Sequence, residues 1–190
     1  MTRSEPTLRA DARRNREKLL AAATALFAET GTDVSLEAIA RRAGVGIGTL
    51  YRHFPTRDAL VEAAYRSEVE HLSAAAGELL AERPPDAALA EWMDRFVTYG
   101  ATKRGMASAL QSVVASGSSV YADARREILA AISALLEAGI AAGSIRPDVD
   151  AEDVVRAMGA IWHMPDEPQW AEHARRVLGL LMDALRYGAR

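Results

Sequence analysis

Apolar residues recur along this chain at three- and four-residue intervals. No stretch holds a sustained two-residue alternation of β-branched positions, so the pattern predicts helices throughout. The first helix is expected from Asp11 to Thr30, with Leu19, Leu20, Ala23, Leu26 and Phe27 on one stripe and Gly31 where a left-handed C-terminal residue is wanted. Ser35 is placed to cap a second helix whose inward positions are Leu36, Ile39, Ala40 and Ala43, and Gly44 ends it. A third, short helix over 47–53 stops because Pro55 pushes Phe54 out of the α region. Thr56 then caps a long fourth helix carrying Leu60, Ala64, Val69, Leu72, Ala76 and Leu79, which ends before Pro84-Pro85. Further helices are predicted over 86–102, 106–115, 119–142, 151–163 and 169–187, and residues 1–10 read as a loose arm.

The run from Gly44 to Phe54 carries the most information. A short helix, a glycine-bearing turn and a second short helix tipped with Thr49, Tyr51, Arg52 and His53 make a helix-turn-helix, which lays its second helix in the DNA major groove. Gly44 permits the positive backbone angle of the turn and Val45 supplies a core anchor. Leu50 and Phe54, four apart, face inward, which leaves Ile47, Gly48, Thr49, Tyr51, Arg52 and His53 toward solvent. Tyr51 and His53 can reach phosphates, Arg57 adds charge, and Thr49 can meet a base edge. The spacing Gly44-x-Gly46-x-Gly48 also brings a dinucleotide fingerprint to mind. That fingerprint follows a strand and opens a longer helix, whereas here it follows a helical segment and Pro55 cuts the next one short.

Composition narrows the classes. The 190 residues, 49% hydrophobic, can bury a substantial core, and the absence of cysteine excludes disulfides, zinc-thiolate sites and thiol catalysis. No apolar leader or membrane-length apolar run is present, so a soluble, cytoplasmic protein without membrane contact is expected. The net charge of −3 is unevenly spread. Residues 1–57 hold ten Lys/Arg against six Asp/Glu, or +4; residues 58–190 hold thirteen against twenty, or −7. A basic front on an acidic body points to phosphate as partner, although +4 is also ordinary surface chemistry.

Residues 13–72 resemble the N-terminal domain of TetR-family transcriptional regulators. The resemblance rests on Ser35-Leu-Glu-Ala-Ile-Ala-Arg-Arg-Ala-Gly-Val, on Gly48-Thr-Leu-Tyr-Arg-His-Phe and on Arg57-Asp-Ala-Leu. The C-terminal region is more loosely similar to the compact helical domain of the SbtR regulators. The resemblance implies an all-α protein: an arm (1–10), a three-helix helix-turn-helix DNA-binding domain (11–58) and a helical ligand-binding and dimerisation domain (59–190). It implies base contacts from Ile47, Gly48 and Thr49, phosphate contacts from Tyr51, His53 and Arg57, and a phosphate at the helix start beside Ser35. Arg52 belongs to the same DNA-facing set, and Arg13 and Arg14, with Arg3 and Arg9, would track the backbone. Gly46 departs from the family, where a Ser or Thr is common, so base readout is expected to lean on apolar contact with thymine methyls plus Thr49.

In the C-terminal half, Trp92, Met93, Phe96 and Tyr99 recur at helical spacing, and Met106, Tyr121, Met158, Trp162 and His163 are candidates to converge with them. Such a stripe is either ordinary core or the wall of a pocket, and the resemblance favours a pocket for a largely apolar small molecule. His163, Asp166, Glu167, Glu172 and His173 crowd one loop and helix start, but the spacing fits no standard metal motif, and neither metal nor cofactor is expected. Ser116–Ser119 has no partner base, so no catalysis is expected. The last two helices carry Val154, Val155, Met158, Ile161 and Trp162, then Trp170, Val177, Leu178, Leu181 and Leu185, faces either buried within the monomer or fit for a homodimeric four-helix bundle. The expectation is a homodimeric regulator, a repressor on a pseudo-palindromic operator, released by a small-molecule effector. Its alternatives are an activator or global DNA binder without effector, and a helical small-molecule-binding protein whose DNA head has decayed.

Overall fold

The computed structural model describes residues 5–165 and 167–188, with the side chains of residues 5–9 and Thr32 left out of that description. Arg3, the first four residues of the expected arm, Asp166 and the Arg9 side chain therefore lie outside the described residues. The helices are α1 (Glu5–Thr30), α2 (Leu36–Ala43), α3 (Ile47–His53), α4 (Arg57–Glu82), α5 (Pro85–Gly105), α6 (Ala107–Ala115), α7 (Val120–Ala141), α8 (Ala151–Gly159) and α9 (Trp170–Arg186). Short 3₁₀ turns follow α1 at Gly31–Asp33 and α8 at Ala160–His163, and no strand occurs among the described residues. The chain is all-α. α1 begins at Glu5 rather than Asp11, so the helix reaches into the segment read as an arm.

Caps set the early boundaries as the sequence predicts. The Ser35 hydroxyl accepts the Ala38 N–H at 3.1 Å, and Gly44 closes α2 at φ +68° with its N–H turned back to Ala40 and Arg41. Thr56 accepts the Ala59 N–H at 3.1 Å and opens α4.

The chain divides into two units. The first holds the residues up to Ser67 together with Thr102–Val120; the second holds Glu68–Ala101 and the residues from Tyr121 onward. α4 and α5 supply residues to both.

In the first unit α1 packs on α2 and α3, burying Leu19, Ala23 and Phe27 with Ile39, Ala40, Leu50 and Phe54. α4 adds Leu60, Val61, Ala64 and Tyr65 to the buried set. The sequence reading ended the head at residue 58, but α6 packs on the turn at Gly31–Asp33, and Met106, Leu110 and Val113 are buried. The last turn of α5 explains the difference: a Cβ on Gly105 would stand 2.9 Å from the Phe27 carbonyl carbon. The bare glycine lets the α5 backbone lie directly on α1.

In the second unit Trp92 is fully buried and its indole Nε1 donates to the Leu72 carbonyl oxygen at 2.7 Å. α9 has two faces. Trp170, Ala174, Leu178, Met182 and Leu185 are buried, while Val177 and Leu180 are exposed, Leu180 at 71%. On α8 and the turn after it, Val154, Met158 and Ile161 are buried within the unit. No helix among the described residues is long and apolar enough to cross a membrane.

Candidate nucleic-acid interface

α3 is held from behind and bare in front. Leu50 and Phe54 are buried, and the Arg16 guanidinium lies 5.4 Å from the centre of the Phe54 ring, a cation–π contact that pins the end of α3 to α1. In front, Ile47 is 37% and Tyr51 47% exposed, and Gly48 and Arg52 face solvent with them. Thr49 and His53 are half-buried at the sides. Val45, expected as a core anchor, is half-buried. A Cβ built on Gly46 or Gly48 would meet nothing within 4 Å, and neither glycine has a positive φ. Their missing side chains thus serve no internal packing or backbone need; they lower the outer surface of α3.

The flanking residues take several roles. Ser35 is exposed, with its hydroxyl oxygen engaged in capping α2. Arg57 is half-buried and donates through Nη1 to the Val34 carbonyl oxygen at 2.7 Å, just before that cap. Arg13 and Arg14 are exposed on the first half of α1, paired with Glu17 and Asp11 on the same helix. Exposed pairs of this kind are weak, and both arginines can exchange partners for a phosphate at little cost.

The structure places the named residues of the C-terminal half unequally. Trp92 and Phe96 stack at 5.9 Å between ring centres; Phe96 meets Tyr99 at 5.7 Å and Trp162 at 5.4 Å, and Tyr99 stands edge-on to Trp162 at 6.0 Å. Trp162 stacks in turn on Trp170 at 6.5 Å. Gly100 makes room for this cluster, since a Cβ there would come within 2.8 Å of both Trp162 and Trp170. Met158 is buried in the same unit, whereas Met106 is buried in the other one, and Tyr121 and His163 are exposed. A groove of about 290 Å³ between α5 and α9 has Met93, Val97, Leu178 and Met182 among its lining residues, with charged Asp94 and Arg175. The sequence reading missed that groove, the inclusion of Trp170 in the cluster and the Arg16–Phe54 contact. Each joins residues far apart in the chain, and only the Trp92–Tyr99 spacing left a local trace.

A three-helix head of this construction, with one short helix supported from within and exposed along its outer face, defines a helix-turn-helix protein. Residues 19–64 match the family described as bacterial regulatory proteins, tetR family, and residues 84–187 match the C-terminal domain described as transcriptional regulator SbtR-like. The fold is similar to a TetR transcriptional regulator from Streptomyces coelicolor at 50% identity and a TM-score of 0.84, covering 92% of this chain and 99% of that one. A TetR transcription regulatory protein from Mycobacterium vanbaalenii is 36% identical with a TM-score of 0.76, over 94% and 99% of the two chains. The HTH-type transcriptional repressor KstR of Mycolicibacterium smegmatis is 40% identical over 73 residues, 37% of this chain and 36% of that protein. The chain thus spans about a third of that curated relative. The chain belongs to the TetR family of transcriptional regulators, with an SbtR-like C-terminal domain.

Proposed function

We propose that this protein represses transcription as a homodimer, reading a pseudo-palindromic operator with two copies of α3 and releasing it when a small molecule binds the C-terminal half. The observation that carries the reading is the outer face of α3. Ile47, Gly48, Tyr51 and Arg52 are exposed together on a helix that Leu50 and Phe54 hold fixed. Ile47, Gly48 and Thr49 would meet base edges, and Tyr51, His53, Arg57, Arg13 and Arg14, with the start of α2 at Ser35, would meet phosphates. One seven-residue helix touches few base pairs, so useful affinity calls for two half-sites. The exposed side of α9, with Val177 and Leu180, would supply the twofold contact, since Val154, Met158 and Ile161 of the preceding helix and turn are buried within the unit.

The effector would be largely apolar and would meet the aromatic cluster of Trp92, Phe96, Tyr99 and Trp162. It must bind the DNA-incompetent state more tightly than the competent one, otherwise it shifts nothing. α4, unbroken from Arg57 to Glu82 and belonging to both units, is the element through which that preference would reach the head.

The test is selection of bound duplexes from a random DNA library at roughly physiological salt, where nonspecific phosphate binding is weakened. Enrichment of a twofold-symmetric motif is expected. Folded, dimeric protein that enriches no motif overturns the reading.

A further inference from the structure

The guanidinium of Arg52 is exposed, yet it is held. Its Nε donates to the Gly48 carbonyl oxygen at 3.1 Å, and its Nη2 donates to the Thr49 hydroxyl at 3.2 Å, both one turn back on α3. A guanidinium offers five N–H donors in a plane. These two bonds occupy the edge formed by Nε and Nη2. The end-on edge, Nη1 with the second Nη2 hydrogen, makes no hydrogen bond among the described residues.

That edge presents two parallel donors. In the major groove guanine alone offers two adjacent acceptors, O6 and N7, to such a pair; adenine and cytosine present an amino donor, and thymine a methyl beside its one acceptor. The fold-back also decides where the edge sits. It draws the guanidinium along α3 toward Gly48 and Thr49, among the base-facing positions. The open space around Gly48 leaves no side chain there to hold the helix away from the base edges.

Resting on the DNA-reading proposed above, we infer that Arg52 determines specificity for a guanine in each half-site, and that Thr49 is its positioning residue. Holding the side chain in one geometry before DNA arrives reduces the rotamer freedom lost on binding, which sharpens the difference between right and wrong bases.

The experiment repeats the random-duplex selection with the natural protein and with Arg52→Ala, Arg52→Lys, Thr49→Val and Thr49→Ser, each checked for an unchanged melting transition. The natural motif is expected to hold a symmetric G·C pair. Arg52→Ala should lose preference for that pair by about ten- to hundred-fold while keeping the rest of the motif. Arg52→Lys should keep overall affinity and weaken the preference without abolishing it, because an ammonium can still donate to guanine but lacks the planar paired edge. Thr49→Val should relax the same position less, and Thr49→Ser should restore it. If Arg52→Ala returns the natural motif, with all sequences weakened alike and the salt slope shallower by about one, Arg52 contacts phosphate and the inference is overturned while DNA reading stands. If the natural protein enriches no symmetric motif, the DNA reading itself falls and the inference with it.

Discussion

Arg57 reaches from the first residue of α4 to the carbonyl oxygen of Val34 over 2.7 Å, joining segments 23 positions apart at the threshold of α2. A side chain whose family position suggests a phosphate contact is therefore also a strut of the head. Arg57→Ala should lower stability by about 1.5–3 kcal/mol with no DNA present, the range for a hydrogen bond involving a charged group. Urea denaturation of the free protein measures it. An unchanged midpoint, with DNA affinity lost, would reduce Arg57 to a phosphate ligand.

Two glycines with a single residue between them should respond differently to an added side chain. Gly44 has φ +68°, where an added Cβ is strained, so Gly44→Ala should cost about 1–2 kcal/mol. Gly46 has φ −71° and open space, and it precedes α3 with no side-chain cap. Gly46→Ala should be close to neutral, because the entropy removed from the unfolded chain is offset by the preference for Gly over Ala at an N-cap, and Gly46→Ser should stabilise by roughly a few tenths of a kcal/mol by capping α3. Thermal melting of the three variants side by side decides it.

Gly105→Ala brings a methyl group against the backbone of Phe27 and Ala28, which cannot step aside as a side-chain tip can. A loss of about 1–3 kcal/mol is expected. Gly77, inside α4 and facing open space, is the control: Gly77→Ala should gain about 0.5–1 kcal/mol from helix propensity alone. Equal effects at the two positions would refute the packing account.

Burial holds the Lys103 ammonium below its ordinary pKa of 10.5. Between its folded-state value and 10.5 the unfolded chain carries the proton and the folded chain does not, so stability rises with pH across that window. Below it, the desolvation cost is present in full. The stability gap between Lys103→Met and the natural protein should therefore shift in the natural protein's favour as pH rises toward 10.5. Melting temperatures measured in parallel from pH 7 to pH 10 test this; a gap that stays constant contradicts it.

Most of the helical plan was legible because it is written locally. The spacing of Leu19, Ala23 and Phe27, the caps at Ser35, Gly44 and Thr56, and Pro55 and Pro84 each act within a turn or two of themselves. The end of α5 was not legible. Lys103-Arg-Gly reads as a polar break on propensity, yet the helix continues to Gly105 because that glycine seats on α1. Periodicity names a buried face without naming its neighbour. Trp170 thus looked like part of a dimer face, while the structure stacks it on Trp162. Leu50 and Phe54 against Ile47 and Tyr51 could be sorted from four-residue spacing, but the turn of Arg52 back onto Gly48 and Thr49 depends on a rotamer that no sequence pattern encodes.

The chain leaves its first unit at Ser67 and returns to it only at Thr102. On the ribosome, therefore, the DNA-reading head cannot finish assembling when its recognition helix emerges. Phe27, Leu50 and their neighbours must wait for Met106, Leu110 and Val113 to be synthesised before that core closes. A fragment cut at residue 67 would carry every residue proposed to touch DNA and still lack one wall of its own interior. The head is a unit of structure but not a stretch of gene, and grafting it onto another body would require carrying α6 along.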